Sequence, residues 1–557
     1  MIRKDTVSGA LAAAARTPRG ITAIEHDGRT LAISYAALLS GSLLIAGALS
    51  AAGLDSGDRV AIIVPEIGDF VSVFFALAAA GLVAVPLVPP AQAGDLPTFV
   101  RQSRRLLMNS RAAAVVTSAE VAPLIDVGGL DPAPRVLTVG SLRAGPALAA
   151  PLPVPLDATA LLQFTSGSTA EPKGVVLTHA NLHANVNAIY QGLSVTRTDV
   201  GVSWLPLYHD MGLIGMLIGA VYAQVDSVIM SPMLFLKRPT AWLDALSRHR
   251  GTISFAPNFA YEICLRRVKP SQIEALDLSS WRVAGCGAEP VRASTLRAFS
   301  DRFARTGFRM SSFVPSYGLA EHSLAVAFSR EGLRVDAVDG ERMVRDHLAV
   351  PVVNGSTPAE RIVHVVGCGR ALPGHAIEIV AEDGRGLPER QVGRIVARGP
   401  SVMAGYFEDP DATREALRGG WLQTGDLGYL AGGELFVCGR SSDLIIRQGR
   451  KYHPPDLESA IADVQGLRPG GIVVFGISRM EEADEVVAVL ETRASLTPQE
   501  IVDHVRRRVR ETAGLELDRV LVAPPGTIPR TTSGKVKRAE ARVRFQAGTL
   551  LTDGREM

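Results

Sequence analysis

Cysteine is scarce: Cys264, Cys286, Cys368 and Cys438 are the four in 557 residues, far apart, with no CxxC pair and no histidine at zinc spacing. That excludes a disulfide scaffold and a zinc ribbon, and it fits buried free thiols in a reducing compartment. Net charge is nearly absent too, 58 Lys and Arg against 56 Asp and Glu leaving +2. A dedicated nucleic-acid binder concentrates a basic excess on one face, so no nucleic-acid partner is expected. Aromatic residues make up 5% and apolar residues 47%, which excludes disorder for the bulk of the chain. Phe70 to Val88 carries no charge over a length that could cross a bilayer. Gly81 stands where a helix C-cap belongs and Pro86 falls in the β-branched run beyond it, so the stretch reads as a buried helix, a turn and a short buried strand. The alanine run Ala10 to Ala15 is short and closed by Arg16, which predicts a helix and not a signal peptide. No transmembrane segment and a cytoplasmic location are expected.

Three common signatures are missing. There is no GxxxxGK[ST] loop, since the one Gly-Lys, Gly534-Lys535, is followed by Val536. The pairs Gly285/Gly287 and Gly367/Gly369 lack the third glycine of a dinucleotide fingerprint, and no GxSxG nucleophile elbow occurs.

What is present is an α/β pattern. From about Val60 to Val283, short apolar runs such as VAIIV, AAVVT and TISFA alternate with helical patterns such as THANLHANVNAIYQ. This predicts helix-covered, mostly parallel sheets. The Pro/Ala/Gly-rich stretch from about Ser118 to Pro155 reads as surface connection and edge structure. After Arg440 the pattern changes to a strand near Asp443–Arg447, a helix from Pro455, strands GIVVFGI and EVVAVLE, a helix from Pro498 and a strand near Arg519–Ala523. The expected division is a large domain over 1–439 and a smaller, mobile α+β domain over 440–557.

Residues 161–182, LLQFTSGSTAEPKGVVLTHANL, run from a buried strand into a loop of small hydroxyl residues and then Pro-Lys-Gly. Such a loop suits phosphate: Gly167 permits close backbone approach, Thr165, Ser166, Ser168 and Thr169 offer donors, and Lys173 adds a compact positive charge.

TSGSTAEPKG closely resembles the phosphate loop of the acyl-adenylate-forming superfamily. Five further motifs follow in family order: SSWRVAGCGAEPVR (279–292), SYGLAEH (316–322), GGWLQTGDLGYL (419–430), CGRSSDLIIRQGRKYHPPDLE (438–458) and PRTTSGKVKR (529–538). Within the superfamily the chain is most similar to fatty acyl-AMP ligases. SWLPLYHDMGLIG (203–215) and GAEPVR match that branch, RQGRKYHPPDLE is a variant of its pattern, and the long segment from about Arg330 to Val366 lies where the branch carries an insertion that restrains the C-terminal domain. The loop departs from many relatives at Ala170-Glu171, and the hinge position carries Ser442 where Lys or Asp is common.

The resemblance implies ATP-dependent activation of a fatty acid to acyl-AMP with release of pyrophosphate. The acyl group then passes to the phosphopantetheine thiol of an acyl carrier protein or a polyketide or peptide synthetase carrier domain. It also assigns roles. Thr165, Ser166, Gly167, Ser168, Thr169 and Lys173 hold the β/γ-phosphates, and Glu321 binds Mg²⁺. Tyr317 stacks on adenine beside Gly318, with Gly287, Ala288 and Glu289 on the other side of the base. Asp426 accepts the ribose hydroxyls, aided by Arg440, and Ser442 marks the hinge. Lys535 reaches the carboxylate and α-phosphate oxygens during adenylation, and rotation of the C-terminal domain then withdraws it.

His209 and Asp210 face the mouth of the acyl pocket or form a structural pair. Gly212, Gly215 and Gly219 make a smooth helical stripe, for tight packing or for room beside an alkyl chain. The basic run Arg506, Arg507, Arg508 and Arg510, then Lys535, Lys537, Arg538, Arg542 and Arg544, is a solvated face or a steering surface for an acidic carrier. Two other functions stay open: a synthetase that uses coenzyme A as the pantetheine thiol acceptor, and a catalytically silent binding module.

Overall fold

The computed structural model describes residues 4–90, 96–165, 172–352, 357–358, 361–447, 450–477, 485–492, 497–530 and 536–550. Among them two large sheets dominate. One runs, in spatial order, Gly405–Tyr406, Lys173–Thr178, Thr159–Thr165, Val83–Pro86, Arg59–Ile63, Ala114–Thr117 and Arg135–Thr138, parallel from Thr159–Thr165 onward. The other is nine-stranded, its parallel centre built from Phe313–Gly318, Val283–Cys286, Ile253–Ala256, Val200–Ser203, Asp226–Met230 and Gly20–Ile24. The expected α/β class with mostly parallel, helix-covered sheets is what the chain adopts.

The uncharged stretch from Phe70 resolves as the helix Ile67–Ala79, buried almost all round, and the strand Val83–Pro86. Gly81 between them has φ +70°, the left-handed value that a helix-ending glycine supplies. No helix among the described residues is long and apolar enough to cross a membrane. The helix His179–Leu193 starts at a capping box in which Thr178 and Asn181 satisfy each other's backbone N–H groups. The few aromatics are concentrated: Trp204, Phe235, Trp242, Tyr261, Trp281 and Phe299 share one buried cluster against the nine-stranded sheet. All four cysteines are buried and unpaired.

Gly212, Gly215 and Gly219 bring a correction. Met211–Ile218 is a π-helix, and Gly219 opens the α-turn that follows it. Bonding from i to i+5 widens the turn beyond four residues, so a spacing of four keeps two residues on one face and a spacing of three does not. Gly212 packs against backbone, a Cβ there lying 2.3 Å from Pro206 O. Gly215 and Gly219 face the central cavity.

Near the C-terminus, Leu467–Ile477 pairs antiparallel with Glu485–Thr492, which is parallel to Arg519–Ala523. Period-2 alternation splits the first strand between two cores. Ile472 and Val474 join Val502, Val505 and Val509 of the helix Pro498–Ala513, while Val473 and Phe475 join Leu521 and Ala541. In the segment after SYGLAEH, Val335–Asp339 pairs antiparallel with Ile362–Val366 and leads into the helix Gly340–Arg345. That helix lies against Arg450–Tyr452, and its Val344 packs on the first C-terminal core.

Candidate active site

The two sheets and the C-terminal unit enclose a cavity of about 1570 Å³. Ser166, Gly167, Ser168 and Thr169, with Ala170 and Glu171, lie outside the described residues, as does Lys535. The ends that flank them are described. Thr165 and Lys173 stand opposite each other where their antiparallel strands leave the sheet, and Thr165 lines the cavity. Arg530 and Val536, on either side of 531–535, line the same cavity and are joined by an antiparallel bridge.

Asp426 sits at the centre. It is buried in the strand Trp421–Ala431, where its Oδ2 accepts the Tyr317 hydroxyl at 2.6 Å and its Oδ1 faces Arg440 Nε at 3.4 Å. Burial pushes its carboxyl above the usual range, with Arg440 and the Tyr317 hydroxyl pulling the other way. The same contacts hold Arg440 firmly charged, chiefly through Asp426. Thr424, which motif reasoning missed, steadies the turn: its Oγ1 accepts from Asp426 N at 3.2 Å and donates to Ile395 O at 2.7 Å.

The wall beside Tyr317 is backbone brought very close. A Cβ on Gly318 would lie 2.0 Å from Leu324 O, and one on Gly287 2.4 Å from Ser316 Oγ, so neither position tolerates a side chain. Ala288 holds φ +68°, a strained conformation that concentrates at functional sites. Glu289 Oε1 accepts the backbone N–H of Phe259 at 2.7 Å, which fixes this wall to the helix Asn258–Arg267.

Glu321 lies in the short turn Ala320–His322 after the Tyr317 strand. Its Oε1 accepts the Tyr406 hydroxyl at 2.8 Å, and the Lys173 ammonium lies over the Tyr406 ring, 5.0 Å from its centroid. Tyr406 was invisible to sequence reasoning, because only the edge pairing of Gly405–Tyr406 with Lys173–Thr178 brings it here. No other side-chain hydrogen bond to Glu321 is found among the described residues, and Glu321 lines the cavity with a carboxylate, a hard oxygen donor. That suits a Mg²⁺ ion held mainly by phosphate oxygens and one carboxylate.

His322, next in the chain, is fully buried, and its Nδ1–H donates to Ala325 O at 2.9 Å. Its Nε2 has no partner among the described residues, and its ring lies 5.0 Å from that of His375. Burial pushes its pKa down to about 4, so in the fold it stays neutral where the unfolded chain protonates near pH 6.5. The stability due to a neutral His322 is complete above pH 6.5 and is lost as pH falls through 4. Melting temperatures of the parent should therefore drop between pH 6.5 and 4 more than those of His322→Gln; equal slopes count against the assignment.

His209 and Asp210 both line the cavity and pair with each other, Nδ1 to Oδ1, at 2.6 Å. Asp210 Oδ1 also caps the π-helix by accepting Met211 N at 2.7 Å. Beyond them the cavity continues between the helix His179–Leu193 and the π-helix, lined by Tyr190, Leu193, Gly215, Met216, Gly219 and Val225. At the C-terminal end, Ser442 is exposed in the turn Ser441–Asp443, which Ser441 Oγ fastens to Gly425 O at 2.9 Å. Arg538, three residues after Lys535, bridges Asp443 and Glu458 at 2.7 Å each.

The AMP-binding enzyme family matches residues 11–407. A Caulobacter vibrioides protein with a provisional acyl-CoA synthetase name is 38% identical over 98% of this chain and 96% of its own length. The medium-chain-fatty-acid–[acyl-carrier-protein] ligase JamA of Moorena producens is 34% identical over 89% of this chain and 87% of its own. A solved structure from work on fatty acyl-adenylate ligases of E. coli and L. pneumophila superimposes with a TM-score of 0.91, at 38% identity, covering 98% of this chain and 99% of that one. On the family match over residues 11–407 and the identity to these relatives over most of both chains, the chain belongs to the AMP-binding, acyl-adenylate-forming family of ligases, in the branch that holds the fatty acyl-AMP ligases and their acyl-CoA synthetase kin.

Proposed function

We propose that the protein converts a fatty acid and ATP to acyl-AMP and pyrophosphate, then passes the acyl group to the phosphopantetheine thiol of an acyl carrier protein or carrier domain. The observation that carries this reading is one continuous cavity lined by Thr165 where the strand enters the hydroxyl-rich loop, by Asp426, Tyr317 and Arg440, and by the apolar stretch at Tyr190 and Gly219. The acid's carboxylate attacks the α-phosphorus, pyrophosphate leaves, and the thiol later displaces AMP from the acyl carbon. The chain's contribution is to hold two anions together and neutralise developing charge. Asp426 takes the ribose hydroxyls, Lys173 takes phosphate oxygens, and Lys535 takes the carboxylate and α-phosphate oxygens. Mg²⁺, held by Glu321 and the phosphates, supplies Lewis-acid charge stabilisation when bound.

The carrier protein is preferred over coenzyme A on two grounds. Val344 rests on the C-terminal core, so the helix Gly340–Arg345 ties the segment before it to that unit, and the Moorena relative is named for transfer to a carrier protein. The same reading divides the chain into 1–439 and a swivelling 440–557, with Ser442 at the hinge, and sets it in the cytoplasm. Purified protein, ATP and a fatty acid, supplied with either coenzyme A or holo carrier protein, test it: rapid acyl-CoA formation overturns the carrier reading, and no acid-dependent pyrophosphate release overturns catalysis altogether.

Chain length should be set by the apolar end. A Cβ on Gly219 lies 3.6 Å from the Tyr190 hydroxyl, so a larger side chain there shortens the available path. Gly219→Leu should shift the preferred acid to a shorter one in a pyrophosphate assay over acids of graded length. Each excluded CH₂ costs about 0.8 kcal/mol, roughly fourfold in affinity. An unchanged length profile counts against this as the acyl path.

A further inference from the structure

Lys173 and Glu321 belong to different sheets. Lys173 opens an antiparallel strand of the seven-stranded sheet, whereas Glu321 follows a strand of the nine-stranded one. The segment Met403–Phe407 touches both. Its backbone pairs with the lysine strand through Ala404 N to Val176 O at 3.0 Å and Phe407 N to Gly174 O at 2.8 Å. Met403 N donates to the backbone O of Glu321 at 2.9 Å. Tyr406 itself is fixed by its own N–H, which donates to Thr413 Oγ1 at 2.9 Å.

From this anchored position the side chain acts in two directions. The hydroxyl donates to Glu321 Oε1 at 2.8 Å, and the ring face receives the Lys173 ammonium at 5.0 Å.

We propose that Tyr406 is a positioning residue: its hydroxyl holds one oxygen of Glu321 so that the other is presented to the divalent cation on ATP, while its ring seats Lys173 beside the phosphates. This rests on the reading of Glu321 as the metal ligand and Lys173 as a phosphate ligand. A carboxylate tethered at one oxygen cannot rotate away or turn both oxygens to the ion, and hydrogen-bond partners of metal ligands commonly govern affinity in this way.

Tyr406→Phe removes the hydroxyl and keeps the ring, which separates the two functions. The test titrates Mn²⁺ by electron paramagnetic resonance into the full chain saturated with a non-hydrolysable ATP analogue, for the parent, Tyr406→Phe, Glu321→Gln and the double variant. Tyr406→Phe should weaken Mn²⁺ binding about tenfold or more, and the double variant should bind no worse than Glu321→Gln alone. Acyl transfer to thiol from supplied acyl-AMP should stay at the parental rate in Tyr406→Phe, which general misfolding would not allow. Weakening in Glu321→Gln but not in Tyr406→Phe overturns the role of Tyr406, as do additive losses in the double variant. Unchanged Mn²⁺ binding in Glu321→Gln overturns instead the metal reading on which the proposal stands.

Discussion

Lys535→Ala protein should release pyrophosphate from ATP and a fatty acid at no more than about one hundredth of the parental rate, while still transferring the acyl group from supplied acyl-adenylate to thiol nearly as fast. The magnitude follows from the chemistry. A carboxylate is a weak nucleophile that meets an anionic phosphate, and deleting one preorganised donor to the developing charge typically costs about 3–4 kcal/mol. The selectivity follows from the roles of the two half-reactions, because the second needs that charge withdrawn to admit a thiol. The described flanks of residues 531–535 are tied to each other and to buried Glu491. Arg530 bridges to Val536, Lys537 N donates to Pro529 O at 2.8 Å, and buried Glu491 Oε1 accepts Gly526 N at 2.9 Å and Ile528 N at 3.0 Å. Both half-reactions are read by following pyrophosphate and thioester separately; equal loss in the two defeats the assignment.

Asp426→Asn should separate binding from stability. Two ribose hydroxyls lose an ionised acceptor, and hydrogen bonds to a charged group contribute about 1.5–3 kcal/mol each, so AMP affinity by calorimetry should fall by roughly two orders of magnitude. The fold itself should hardly suffer. Burial raises the Asp426 carboxyl above its ordinary range, so the stability it contributes is present below that range and lost as pH rises through its folded value. Asparagine fills the same place without the cost of burying a carboxylate charge. Arg440 is left without its partner, but its side chain is 50% exposed and keeps its hydration. Melting temperature near pH 7 should stay within a few degrees of the parent, about 1 kcal/mol. A large drop with AMP affinity intact reverses the picture and makes Asp426 a structural residue.

Much of the architecture was legible because local and global signals agree. Period-2 alternation in GIVVFGI marks a strand serving two cores, and the Gly81 and Pro86 punctuation separates a helix from a strand inside one uncharged run. The motifs that hold Tyr317, Asp426 and Arg440 meet because Tyr317 lies near the end of its strand and Asp426 pairs with Arg440 across two adjacent antiparallel strands. What stayed hidden depends on contacts between distant segments. Tyr406 reaches Glu321 only because a two-residue edge strand pairs beside Lys173. The π-helix at Met211–Ile218 could not be read from glycine spacing, which suits an α-turn equally well. Likewise a free carboxylate in GAEPVR does not reveal that Glu289 is engaged by the backbone of Phe259.

The sealed thiols make this chain convenient for watching its own motion. All four cysteines are buried, and burial raises each sulfhydryl pKa, so the native residues resist alkylation while the fold is intact. Cysteines introduced at exposed Asp27 and Gln499, one in the large body and one in the C-terminal unit, would be the sites that take maleimide dyes. Energy transfer between the pair would then report, turnover by turn, when the small unit swings.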